Sequence, residues 1–444
     1  MEFKNLRNWK YKRIEEISDT VTDYVANGSF ATLKKNTVYA EKSDYILIRL
    51  VDYNNNFNGD FKYITPKSYD FLNKTKLYGG EIIISNVGAN AGTVFKVPYL
   101  KHKMSLGPNS ILLKTKENDE FYFYWFRSIF GQFSLDSIKT GSAQPKFNKT
   151  DFRKLSVPVP ERDEQNKIAK ILNTLDSKIE INNKIISNLE SQAQAIFKSW
   201  FVDFEPFQDG NFVESELGMI PEGWEVKELG EVADFSNGYS FKSKDLLEEK
   251  KSKNDYKVFK QADIKVGGGI NPNNTKSWID SEFIRKNKLS RFIIQSGDLM
   301  MCMTDMKNNV RLLGNTALVY QPDEYILNQR VGRLRSKQKE IKPSFLYYLT
   351  NNSVFLNDLR GRANTGVQVN LSTSEIKRSK VILPTCDIIK RFCDYSESIT
   401  KSINSLNSQN TKLAELRDAL LPKLMAGEID VSNIKIEGEE VKNE

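Results

Sequence analysis

TGSAQPKFNKTDFRKLSVPVP, Thr140–Pro160, is echoed later in the same chain by TGVQVNLSTSEIKRSKVILP, Thr365–Pro384. A missed internal repeat misassigns the whole fold, so the pair is followed outward first. Phe121 matches Phe345, Tyr124 matches Tyr348, Gln144 matches Gln368 and Pro160 matches Pro384, all at one shared offset, with a single one-residue slip near the Thr-Gly pair. Upstream, YGGEIIIS (Tyr78–Ser85) matches QSGDLMMC (Gln295–Cys302). YILIRLVDY (Tyr45–Tyr53) resembles YKVFKQADI (Tyr256–Ile264) and aligns Asp52 with Asp263. NWKYKRIEEISD (Asn8–Asp19) matches GWEVKELGEVAD (Gly223–Asp234) and aligns Trp9 with Trp224. The small changes of offset are insertions, which belong in surface loops.

Each half therefore has one order: a Trp-led entry, short strands, an aromatic helix, the Thr-Gly/Gln segment, an extended SVPVP or KVILP, and a long helix. Strand-like runs at Tyr45–Leu50, Glu81–Ser85, Ser110–Leu113 and Arg291–Gln295 alternate with Gly/Asn/Asp turns. The aromatic run Phe121–Phe126 invites a reading as a base-stacking platform, but its apolar density fits a buried core helix better. After Pro160, apolar residues Ile168, Leu172, Leu175, Ile179, Ile186, Leu189, Ala193 and Ile196 recur at spacings of three, four or seven, with no Gly or Pro from Glu161 to Glu205. After Pro384, Ile399, Ile403, Leu406, Asn410, Leu413, Leu420 and Leu424 keep the three-four alternation, with Pro422 near the end. About five heptads each is a coiled-coil pattern. Forty helical residues span about 60 Å, and two such helices in one chain most simply pack together, with Asn182 and Asn410 on or near the seam. FVDFEPFQDG (Phe201–Gly210) ends the first helix and begins a linker; the chain closes on GEIDVSNIKIEGEEVKNE, read as a short edge strand and a frayed acidic tail. The fold class is α+β: two mixed α/β domains in pseudo-twofold tandem repeat, separated by two long antiparallel coiled-coil helices.

Composition bounds the chemistry. The 444 residues are enough for two or three cores, and 65 Lys+Arg against 57 Asp+Glu give a formal charge of +8, a mild surplus that suits a polyanion or a merely Lys-rich soluble protein. MEFKNLRNWKYKR has no apolar core for a signal peptide, and no run of about 18 apolar residues exists for a membrane span. Cys302, Cys386 and Cys393 form neither a disulfide framework nor a zinc site, so a cytoplasmic location is the default. The only histidine, His102, lies in basic LKHKMS with no nucleophile motif near, and reads as a surface residue or, less favourably, a phosphate contact. No Walker A motif is present, and VGGGI (Val266–Ile270) lacks dinucleotide-loop spacing and reads as a hairpin or loop.

Two related domains and two long helices make a ruler. Antiparallel helices would place the domains about a pseudo-twofold, suited to two half-sites in opposite orientation on duplex DNA, spaced by one to two helical turns. Because the two domains differ greatly in sequence, their half-sites should differ.

The frame of the chain resembles the specificity subunits of type I restriction-modification systems. TGSAQPKFNKTDFRKLSVPVPERDEQNKIAKIL looks like the segment closing a target recognition domain there; LGMIPEGWEVKELGEVADFSNGYSFKS looks like the entry to the second such domain; LNSQNTKLAELRDALLPKLMAGEI resembles the C-terminal conserved helix. PTCDIIKRF departs from the pattern by lacking the acidic Glu-Gln helix start. The resemblance implies an N-terminal target recognition domain at 1–157, a central conserved helix at 158–205, a C-terminal target recognition domain at 206–383, a C-terminal conserved helix at 384–427 and a tail at 428–444. It implies a non-catalytic, DNA-reading subunit that assembles with two copies of an adenine methyltransferase and then two motor-nuclease (restriction) subunits. S-adenosylmethionine, ATP and Mg would reside in those partners, with no cofactor or metal in this chain. The residues agree: there is no Asn/Asp-Pro-Pro-Tyr/Phe motif, and NPNN (Asn271–Asn274) reads as a turn.

Phosphate contacts need Lys or Arg, and base reading needs Arg, Asn, Gln or small polar groups on loops. The first candidate loop carries Lys139, Ser142, Gln144, Lys146 and Lys149; its counterpart carries Arg360, Arg362, Asn364 and Gln368. Second come Asn86 and Asn90 in NVGANAG, and Lys307, Asn308, Asn309 and Arg311 in TDMKNNVRL; third, Arg49 and Lys260. The competing reading of the Gln144 turn is a helix cap, and of each charge a solvated surface group. Lys167, Lys170, Lys178 and Lys184 on the helix surface would dock the methyltransferase or simply keep a coiled coil soluble. A fused restriction-methylation enzyme would need motifs that are absent; a pure coiled-coil scaffold would not explain two diverged domains with basic, Gln-containing loops.

Overall fold

The computed structural model describes residues 9–271, 277–306, 310–320, 324–365 and 368–434. Its contacts divide the chain into two compact units, one formed by residues up to Ile181 with those from Gln409, the other by Asn182–Ser408. No helix among the described residues is long and apolar enough to cross a membrane.

In the N-terminal unit, strands Ser18–Asp23, Ser110–Thr115, Ile82–Ser85 and Val94–Lys96 lie side by side in that order, all antiparallel. The run IIIS is wholly buried because the sheet is covered on both faces. Ile82 and Ile84 join Ile111 and Leu113 in one core, while Ile83 and Leu112 face Ile46, Ile48, Phe95 and Leu106 in a second. That second core lies under a four-stranded sheet ordered Lys62–Tyr63, Tyr45–Ile48, Lys103–Leu106, Lys76–Leu77, whose middle pair is parallel. The aromatic helix Asp119–Arg127 starts at Asn118, whose side chain accepts the Phe121 amide, and carries acidic Asp119 and Glu120 in its first turn. Phe121 to Phe126 are all buried, so this helix is core rather than a stacking platform. Ser128 ends it and caps the next helix, Ile129–Ser137.

The other unit repeats this plan. Its four-stranded sheet runs Ala233–Asn237, Val331–Ser336, Leu299–Cys302, Thr316–Leu318, and a three-stranded sheet again contains one parallel pair, Tyr256–Phe259 with Tyr325–Leu327. The repeat holds at single hydrogen bonds. Lys10–Arg13 pairs with Ser156–Val159 as Glu225–Glu228 pairs with Lys380–Leu383. The Arg13 amide donates to Glu16 at 2.7 Å and the Glu228 amide to Glu231 at 2.7 Å. The amides of Arg49 and Lys260 donate to buried Asp52 and Asp263 at 2.8 and 2.7 Å, matching the aligned pair of aspartates.

The long helices are Arg162–Phe201 and Cys386–Met425. Within the N-terminal unit they run in opposite directions, Asp176 meeting Arg417 at 2.7 Å, while Ile168, Ala169 and Leu172 share a core with Leu424 and Met425. Within the second unit Phe197 and Phe201 pack on Phe392 with ring centroids 5.4 and 5.2 Å apart. Asn182 is fully buried and Asn410 half-buried.

Several local expectations are corrected. The strand from Tyr45 stops at Ile48, because Asp52 captures the Arg49 amide and turns the chain into helix Leu50–Asn54. Glu81 is not strand, since its carboxylate accepts the amides of Tyr78 and Gly79 in a turn. Arg291–Gln295 is no strand either: a short 3-10 turn, Ser290–Phe292, precedes a single bridge from Ile293 to Ile326. The first long helix ends at Phe201, as the reading of Phe201–Gly210 as its end expects, and Phe204 follows it in the left-handed region at φ 55°. Residues 427–434 form no strand, and Val431 is buried in the N-terminal unit's core; the rest of the stretch read as edge strand and acidic tail, 435–444, lies outside the described residues. His102 is half-buried, its ring 5.8 Å from Phe61 and 6.2 Å from Tyr63, so it packs rather than sitting free on the surface. Lys167 is not exposed, pairing with Asp163 at 2.9 Å and donating to the Ser432 carbonyl at 2.9 Å; Lys170, Lys178 and Lys184 are exposed.

VGGGI is a loop closed by a bridge between Ile264 and Ile270. A Cβ on Gly268 would lie 2.8 Å from the Asn351 amide and 2.9 Å from the Tyr347 hydroxyl, which together with φ +102° requires glycine there. The loop's Lys265 approaches Glu190, whose carboxyl burial pushes up while Lys265 pulls it down. A raised carboxyl favours the neutral form, so its stabilising contribution is complete below the ordinary glutamate range and is lost as pH rises through the folded value. Glu190→Gln should therefore raise the thermal midpoint at pH 7 and make no difference below about pH 4; an equal gain at both pH values would rule out this origin.

Candidate functional site

Strand Ile82–Ser85 delivers the chain directly into a loop at 86–92, and the segment Thr140–Lys146 folds back beside it. Thr140 and Lys146 exchange backbone hydrogen bonds of 2.8 and 2.9 Å, and Gly141 at φ +83° makes the turn, which is why a Thr-Gly pair stands there. The two loops are stitched together. Val87 bridges Lys146, the Gly88 amide donates to Pro145 at 2.9 Å, and the Asn86 side-chain amide donates to the Phe147 carbonyl at 3.0 Å. The structure thus gathers Asn86, Asn90, Lys139, Ser142, Gln144 and Lys146 on one rim. Asn90, Ser142, Gln144 and Lys146 are exposed. Asn86 is a staple by its bonds. Lys139 pairs with Asp136, and Lys149 is tied to Asp23 at 2.9 Å, at the base of the hairpin.

The second unit builds the same feature as a small sheet. Thr304–Met306 pairs with Gln368–Asn370, which pairs with Asn364–Thr365. Asp305 organises the adjoining turn, its carboxylate accepting the amides of Met306 at 2.8 Å, Leu312 at 2.7 Å and Leu313 at 3.2 Å. Arg360 completes the clamp, donating to the carbonyls of Leu313 at 2.9 Å and Arg311 at 2.7 Å and to Asn315 Oδ1 at 3.3 Å. Partial burial pushes the Arg360 guanidinium down, with Asp305 acting in the opposite direction. Arg311 and Asn364 are exposed, and Gln368 is half-buried opposite Met306. Arg362 is held by Asp358, at 3.0 and 3.1 Å. Lys307, Asn308 and Asn309 lie outside the described residues.

The third pair is already engaged. Arg49 forks onto Asp52 at 3.0 and 2.7 Å, and Lys260 donates to Ser277 at 2.7 Å. Sequence reasoning passed over Asp23 and Asp305 because an anion partner is not sought among carboxylates. Both matter here through what they hold: Asp305 the amides of the turn that follows it, and Asp23 a lysine 126 residues away that no local spacing signals.

The chemistry on offer is recognition. Exposed amides, hydroxyls and ammonium groups on paired loops can meet phosphates and base edges. The Cys302 thiol is buried and pushed up to about 12, which keeps it a neutral thiol at physiological pH. Among the described residues, no three or more His, Cys, Asp or Glu side chains group as a metal site.

Comparison with known proteins finds one family model in both halves of the chain. The family described as "Type I restriction modification DNA specificity domain" matches twice, over residues 7–191 and 221–415. The MjaVIII type I restriction enzyme specificity subunit of Methanocaldococcus jannaschii is 28% identical over 80% of this chain and 80% of its own. The MjaIX specificity subunit of the same organism is 24% identical over 96% of this chain and 95% of its own. The crystal structure of a type-I restriction-modification S subunit from M. genitalium aligns over 96% of this chain and 98% of that one, with a TM-score of 0.51 at 17% identity, a likeness of fold.

Proposed function

Because the chain belongs to the type I restriction modification DNA specificity domain family, we propose that it is the DNA-reading subunit of such a system, each of its two halves recognising one part of a bipartite, asymmetric target. The observation that carries this reading is the recurrence of one device in two diverged halves. A buried strand feeds a segment paired with the stretch that carries Gln144 in one half and Gln368 at the equivalent place in the other. A common frame with different exposed side chains is what two unlike half-sites require. The long helices set the spacer between half-sites and dock two adenine methyltransferase subunits, to which two restriction subunits add, in the cytoplasm. This chain contributes recognition and no catalysis, while the partners hold S-adenosylmethionine, ATP and Mg.

Co-expression with the methyltransferase subunit and genome-wide mapping of methylated adenines tests the reading. Two short defined blocks around a fixed unspecified gap are expected. A stable complex that methylates without a split motif would overturn it. Within that motif, Gln144→Ala is expected to lose about 1–3 kcal/mol of discrimination at one half-site while non-specific binding holds. Equal losses on cognate and random duplex would reject a reading role for Gln144.

A further inference from the structure

We propose that the cleft between the 86–92 loop and the end of the aromatic helix binds a backbone phosphate of duplex DNA, with Arg127 as its cation. This rests on the DNA-reading assignment above and adds a residue to it. The cleft holds about 390 Å³ and is lined by Tyr53, Asn90, Thr93, Arg127 and Gln132 together with the backbone of the loop.

A cation with donors to spare makes it an anion site. Asp176 is shared by two guanidiniums, Arg417 at 2.7 Å and Arg127 at 3.6 Å, and also accepts the Tyr124 hydroxyl at 2.9 Å. Arg417 is also held by Asp418, at 2.8 and 2.9 Å, so its fork is fully committed. Arg127, by contrast, has only the 3.6 Å ion pair, and its side chain makes no hydrogen bond among the described residues; it is 33% exposed on the cleft wall, which leaves its guanidinium donors for an anion. Its guanidinium rests over the Phe123 ring at 5.0 Å, which fixes its plane. Lys139 stands at the same rim, its ammonium 3.1 Å from where a Cβ on Gly92 would be. The other carboxylates nearby are spent, Asp136 on Lys139 and Glu120 on Lys96.

The walls are fixed before any ligand arrives. Gln132 spends its amide donors on the carbonyls of Gly92 at 3.0 Å and Phe126 at 2.6 Å, locking loop to helix. Tyr53 is stacked on Phe95 at 4.8 Å, and the stretch after it holds Asn56 and Phe57 at φ 51° and 55°. Non-glycine residues in that region are uncommon and concentrate at ligand clamps. The cleft is also continuous with the rim that carries Asn90 beside the Gln144 hairpin, which favours the DNA backbone over a free phosphate as the source.

The test uses the full chain in complex with its methyltransferase subunit, titrated with motif-bearing and scrambled duplexes over a range of salt. Arg127→Gln should lower the slope of log K against log salt by about 0.9, equally on both duplexes, with the methylated motif unchanged. An unchanged slope overturns the site. Because Arg127 also contacts Asp176, a second measurement separates binding from packing. A neutral methylphosphonate at the contacted position should weaken wild type and have no further effect on Arg127→Gln; additive losses overturn the proposal. Competition by inorganic phosphate at matched ionic strength, with no sensitive methylphosphonate position, assigns the cleft to free phosphate and overturns it too. A wild-type complex that fails to bind the duplex brings down the DNA-reading assignment itself, whereas normal wild-type binding with a flat Arg127→Gln slope brings down the phosphate site alone.

Discussion

Phe392→Ala should destabilise the second unit by about 3–5 kcal/mol, read as a fall in the midpoint of its urea or thermal transition. Phe392 is fully buried and meets five rings: Phe197, Trp200, Phe201, Phe345 and Tyr348, at centroid distances of 5.4, 6.4, 5.2, 6.2 and 5.6 Å. Two of these belong to the second unit's aromatic helix, Pro343–Asn351, and three to the first long helix. Truncation therefore removes transfer free energy and opens a cavity bounded by three elements that cannot all collapse inward. The edge-to-face geometry, near 90° against Tyr348, adds a directional contribution that an aliphatic replacement would not restore. Tyr99→Ala, at a residue 83% exposed, should stay within about 0.5 kcal/mol of the parent. Similar costs for the two variants would show that the ring cluster does not hold the helix to its domain.

What could be read in the sequence, and what could not, follows from the range of the interactions. The run IIIS carries its burial on both faces in its composition alone. The six consecutive aromatic residues had only one place to go once their density exceeded what a surface can present. The repeat transferred across the halves because it is an alignment of local devices: the capping carboxylates Glu16 and Glu231, or Asp52 and Asp263, act three residues from the amides they hold. Commitment of charge is the part a sequence hides. Arg49, Lys149, Lys167 and Arg360 all look like available cations. Yet Lys149 is held by Asp23, 126 residues away, and Lys167 by a carbonyl 265 residues away. Spacing says where a charge is attached, whereas only the fold says whether its donors are already in use. The Arg291–Gln295 error has the same root, since Ile294 is buried beside one bridge from Ile293 to Ile326 and not by membership of a ladder.

Arg360→Met should relax one half of the methylation motif while leaving the other half intact. Arg360 spends its fork on the carbonyls of Arg311 and Leu313 and on Asn315, the three points that fix the base of the loop following strand Thr304–Met306. Methionine keeps the length and the apolar stem of the side chain but no donor. Partly buried carbonyls are then left without their charged donor, a loss of roughly 1.5–3 kcal/mol for hydrogen bonds of this kind. Asp305 still holds the amides of Leu312 and Leu313 from the opposite side, so the turn persists but is pinned at one edge only. A loop pinned at one edge samples several positions, and a misplacement of about 1 Å is enough to break a bidentate base contact. The damage should remain within the half-site that this unit reads. Arg362→Met is the matched control, because Arg362 holds only Asp358 in an exposed i,i+4 pair worth about 0.3–0.5 kcal/mol. Motif mapping on both variants decides the matter. Degeneracy confined to one block with Arg360→Met, and an unaltered motif with Arg362→Met, is the expected pattern. Simultaneous decay of both blocks would mean that Arg360 supports the complex as a whole, and an unaltered motif with Arg360→Met would mean that the loop it clamps does not read DNA.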